Sequence, residues 1–64
     1  MTLEEVYTLM GTRKIPGTPQ ELDMLCIRIR ELKEANGEQW VKENRRRLLQ
    51  EWGQTLCYLN SVSS

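Results

Sequence analysis

Three consecutive arginines, Arg45, Arg46 and Arg47, with Lys42 a turn before them, are the residues of this sequence best suited to a charged partner. Guanidinium and ammonium groups bind phosphate oxygens, so such a cluster would position a nucleic-acid backbone. Arg13 and Lys14, together with Arg28 and Arg30, would enlarge the patch if the fold brought them alongside. On a helix, however, successive residues fan out by about 100°, and the triplet spreads around the rod. Arg47 has Glu43 and Glu51 four residues to either side as ion-pair partners. Arg45 falls near an apolar stripe and can lay its stem along it. The set reads first as a solvated, partly paired face.

Catalytic groupings are scarce. The chain has no histidine, which removes the commonest general base and every nucleophile–histidine pairing. Cys26 sits on an apolar stripe and reads as a small buried hydrophobe. The other thiol is Cys57, and two cysteines do not complete a four-ligand zinc site. Glu4 and Glu5 open a helix, where acidic side chains answer the macrodipole. Gly11 and Gly17 are cap and turn residues, not a phosphate-cradling loop. No enzyme activity, cofactor or metal is expected.

The 64 residues carry nine Lys+Arg against nine Asp+Glu, so the formal net charge is zero. That balance lacks the usual electrostatic footprint of a nucleic-acid binder. A hydrophobic fraction of 39% argues against full disorder. No run approaches the roughly 20 apolar residues of a membrane span, and no membrane partner is expected. Glu4 and Glu5 stand where a signal peptide would be positively charged, so a secretory route is not expected. Two reduced thiols then fit a cytoplasmic protein.

Helical signals run the whole length. Thr2 with Glu5 is a capping-box pattern, followed by Leu3, Val6, Tyr7 and Met10 at helical spacing and by Gly11 as a C-cap. Thr12 to Gly17 has loop chemistry, with Pro16-Gly17 marking a turn and Ile15 a plug over the helix ends. Thr18-Pro19-Gln20-Glu21 repeats the capping box with proline at its first helical position. Leu22, Leu25, Cys26, Ile29 and Leu32 then form one stripe, and Asn36-Gly37 supplies the stop. Met24 and Ile27 lie roughly 140–200° from Leu22. From Glu38, a third pattern places Val41, Leu48, Leu49 and Trp52 on one side and Trp40 at the flank. Gly53 either ends this helix or is carried within it at a cost near 1 kcal/mol.

A short connection around Gly37 makes the second and third helices antiparallel. Folding there sets Leu25 level with Leu49, Cys26 with Leu48 and Leu22 with Trp52. Cys57 would then lie about 13 Å along the helix from Cys26, beyond the ~7 Å that a disulfide spans. The first thirty residues resemble in style a bacterial helix-turn-helix, through Leu3-Glu4-Glu5-Val6-Tyr7-Thr8-Leu9-Met10-Gly11. They depart from it in a longer, proline-containing turn and in Glu21 and Asp23, which would repel phosphate.

The sequence thus predicts an all-α fold: a small three-helix domain, its short N-terminal helix packed on an antiparallel helical hairpin. The single domain covers residues 1–60, with helices at about 2–10, 18–36 and 38–52 or longer, and a frayed tail at 61–64. Met24, Ile27, Trp40, Leu56, Tyr58 and Leu59 exceed what one seam can bury. They point to a non-enzymatic interaction module, regulatory or accessory, that binds a protein partner or another copy of itself. The alternative is a compact DNA-binding transcriptional regulator using Arg13, Lys14, Lys42 and Arg45 to Arg47.

Overall fold

A computed structural model describes residues 1–62 as four helices, with no strand among them. Helix α1 is Leu3–Met10, α2 is Pro19–Asn36, α3 is Glu38–Glu43 and α4 is Arg45–Val62. The fold is all-α, as the apolar spacing requires.

Local chemistry explains the boundaries. The Thr2 hydroxyl accepts from the Glu5 amide at 3.3 Å. Gly11 closes α1 at φ 71°, and its N–H donates to the Tyr7 carbonyl at 2.9 Å. At α2 the capping box is reciprocal: Thr18 Oγ1 accepts from the Glu21 amide at 3.2 Å, and the Thr18 N–H donates to Glu21 Oε1 at 2.8 Å. Gly37 alone separates α2 from α3, at φ 94° and ψ 158°, a region open in practice only to glycine.

The expected third helix is two helices. The break falls at Asn44, whose Nδ2 donates to the Trp40 carbonyl at 2.8 Å while its backbone N–H reaches the same oxygen at 3.0 Å. Residue 44 takes φ −103°, ψ 10°, outside the helical region, while the Leu48 N–H still donates to the Asn44 carbonyl at 3.0 Å. Beyond it α4 carries Gly53 inside the helix and continues through Ser61 and Val62, so the tail expected at 61–64 is helical over its first half. Ser63 and Ser64 lie outside the described residues.

The core is built by Val6, Leu9 and Met10 of α1, Ile15 of the loop, Leu25, Cys26 and Ile29 of α2, Val41 of α3, and Leu48, Trp52 and Leu56 of α4. No polar or charged side chain is buried with them among the described residues. The seam differs from the one an unbroken third helix would make. Leu25 and Ile29 share a crevice with Leu48, Trp52 and Thr55, and Arg28 reaches Glu51 at 3.9 Å. Leu49 is only partly buried, where a continuous helix would have set it opposite Leu25.

Candidate functional site

The six apolar candidates separate by position. Leu56 is a core residue: the continuation of α4 through Gly53 carries it into the cluster. Trp40 is half-buried, with the Arg47 guanidinium 5.7 Å from its ring centroid. Leu59 is half-buried as well. Met24 and Ile27 are each 50% exposed and Tyr58 is 68% exposed. Tyr58 stands past Leu56 near the end of α4, next to the exposed, free thiol of Cys57.

Met24 and Ile27 share the outward face of α2 because three residues are close to one helical turn. The same helix turns Leu25, Cys26 and Ile29 inward. Beside Ile27, a groove of about 420 Å³ separates α2 from the start of α1. Met1 and Leu3 line one wall, and Asp23, Cys26, Ile27 and Arg30 line the other. Burial pushes the Cys26 thiol up, and the charge of Asp23 adds to the shift. Held as a neutral thiol, Cys26 contributes surface and not nucleophilicity. Periodicity identifies Met24 and Ile27 but misses this groove. Its only sequence signal is the placing of Asp23 and Arg30 on either side of Ile27.

Half of the basic candidates are paired with carboxylates. Arg13 donates two hydrogen bonds to the Glu4 carboxylate, at 3.0 and 2.6 Å, and lies 5.6 Å from the Tyr7 ring centroid. Its pKa is raised, first by that hydrogen bond and then by the Glu4 charge. Lys42 pairs with Glu38 at 3.6 Å and Arg47 with Glu51 at 3.8 Å. Lys14, Arg45 and Arg46 have no carboxylate partner among the described residues. Arg45 extends from the start of α4 toward α1. Its guanidinium reaches across to the C-terminus of α1, where a Cβ on Gly11 would meet it at 3.3 Å. A cation at a helix C-terminus is favourably placed.

A second groove, of about 350 Å³, is lined by Glu4, Glu5 and Glu38 together with Thr8, Leu9 and Lys33. Among the described residues no three metal-ligating side chains converge. No helix among the described residues is long and apolar enough to cross a membrane. Comparison with family models, curated proteins and solved structures finds no match to this chain. A functional reading therefore rests on the side chains just described.

Proposed function

We propose that this chain is a small, non-enzymatic protein-interaction module of the cytoplasm, regulatory or accessory in role, that binds through the outward face of α2. The observation that carries the reading is the half-exposure of Met24 and Ile27 on a helix whose opposite face is in the core. Removing such side chains from water contributes about 25 cal/mol per Å². The ion pairs of Arg13, Lys42 and Arg47 are exposed and screened by solvent, and contribute little. Free thiols at Cys26 and Cys57 suit the reducing compartment.

The second reading is a DNA-binding regulator, supported by the placing of Lys14, Arg45 and Arg46. The Arg45 guanidinium lies against Gly11 at the end of α1, and Lys14 follows three residues later in the chain. One experiment separates the two. A photo-crosslinking amino acid is placed at position 27 or at position 46, and adducts are collected in cells. The interaction reading expects protein adducts from position 27 and few from position 46. Nucleic-acid adducts from position 46, with none from position 27, would reverse the order of the two readings.

A further inference from the structure

We infer that the outward face of α2 is covered by a second copy of this chain, turned antiparallel about a twofold axis that crosses α2 near Ile27. Asp23 of each copy then meets Arg30 of the other. This second copy is the partner that the interaction reading calls for, and the inference rests on that reading.

On α2, Asp23 and Arg30 are seven residues apart, which is nearly two full turns, so both stand on the same flank, about 10 Å from each other. That is the flank facing the start of α1, since both line the groove there. Ile27 lies between them, half-exposed. Neither Asp23 nor Arg30 makes an ion pair among the described residues. The helix therefore presents an acid, an apolar side chain and a base in order, with neither charge satisfied in its own chain.

Only one relative orientation uses that order. A twofold axis perpendicular to α2 sets a flank against the same flank of the partner with its direction reversed. Each Asp23 then faces an Arg30, twice by symmetry, and the two Ile27 side chains meet on the axis beside Met24. A parallel pairing would set this flank against the opposite flank of the partner, at the same level, so that no Asp23 would meet an Arg30. Such self-complementarity is what an isologous interface requires. The formal charge of zero leaves no overall repulsion between copies. The groove beside Ile27, walled by Leu3 and Cys26, gives the incoming isoleucine an apolar surface to rest on. With two large apolar side chains per copy, the interface is small, and association is expected only at concentrations on the order of 10–100 µM.

Charge reversal tests the geometry. Sedimentation equilibrium of the full chain should show a monomer–dimer equilibrium. Asp23→Arg and Arg30→Asp should each weaken the dimer at least tenfold, and Ile27→Ser should abolish it. Mixing the two charge variants in equal amounts should restore association, because a flank with two basic residues would then face a flank with two acidic ones across a heterodimer. The double variant, with acid and base exchanged, should form a homodimer again. Circular dichroism of every variant separates these effects from unfolding. A dimer lost in Ile27→Ser but indifferent to all charge changes would overturn the antiparallel pairing and leave the apolar-face reading standing. A strict monomer at millimolar concentration would overturn the second copy. In that case protein adducts of other masses at position 27 would keep the interaction reading, and their absence would end it too.

Discussion

The indole nitrogen of Trp52 donates to the carbonyl of Pro16 at 3.0 Å, joining two residues 36 positions apart. The bond ties the loop between α1 and α2 to the middle of α4, beside the buried Ile15. Helix α4 thus holds its place partly through a segment with no secondary structure of its own. Trp52→Phe keeps most of the ring's burial and removes the donor, so it should cost about 0.5–1.5 kcal/mol. Trp52→Ala should cost about 3–5 kcal/mol. Urea denaturation followed by circular dichroism measures both. Equal losses in the two variants would mean that the ring's packing contributes nothing beyond the hydrogen bond.

Truncations along the seam should follow the observed burial and not the register of an unbroken helix. Leu25 is 2% exposed and Leu48 is 5% exposed, so replacing either with alanine should cost about 2–5 kcal/mol. Leu49→Ala should cost less than half as much, since that side chain is only partly buried. In a domain whose total stability is on the order of 5 kcal/mol, the first two variants approach unfolding. A Leu49→Ala variant as unstable as Leu25→Ala would return the seam to the unbroken register.

What is legible in the sequence is local. Thr18 and Glu21 recognise each other across three residues, and both halves of their capping box form. Met24 and Ile27 follow from angle alone, because α2 is regular on both sides of them. Asn44 is not legible. Its side chain's bond to the Trp40 carbonyl is of the same kind as those of Thr8 and Thr55, which leave α1 and α4 whole, so nothing local marks residue 44 as the division between α3 and α4. Leu56 escapes the sequence for the related reason that Gly53 leaves the course of α4 open. The pairing of Arg13 with Glu4 depends on a chain reversal at Gly11 that brings them together across nine residues.

The two thiols should differ in reactivity. Cys26 is buried and its pKa is raised by burial, whereas Cys57 is exposed. A thiol reagent at neutral pH should modify Cys57 at once and Cys26 only on the timescale of unfolding, with two thiols recovered in denaturant. Simultaneous fast reaction of both would show that the α1–α2 groove opens readily.

The same shift sets a pH dependence. Below the ordinary cysteine value of 9.0 the Cys26 thiol is protonated in both folded and unfolded chains. Above it the unfolded chain ionises while the folded chain, with its raised pKa, holds the proton. The contribution to stability is therefore intact below pH 9.0 and falls as pH rises toward the folded value. Urea midpoints between about pH 7 and pH 10 should decline more steeply for the parent than for Cys26→Ala. Parallel declines would show that other groups carry the alkaline loss.

Two glycines should respond to alanine in opposite directions. Gly53 lies within α4, has no positive φ, and a Cβ built there meets nothing within 4 Å. Alanine restricts the unfolded chain and suits a helix interior better, so Gly53→Ala should stabilise by about 0.5–1 kcal/mol. Space around Gly37 is equally open, but its φ of 94° is a conformation that alanine resists. Gly37→Ala should therefore destabilise by about 1–3 kcal/mol through backbone strain alone. Because neither Cβ meets a neighbour, the pair isolates conformation from packing. Thermal melts of the two single variants and their double, which should lie near the sum, give the comparison. Stabilisation by both would mean that α2 and α3 are joined by some other backbone path. Destabilisation by both would mean that α4 needs its flexibility at residue 53.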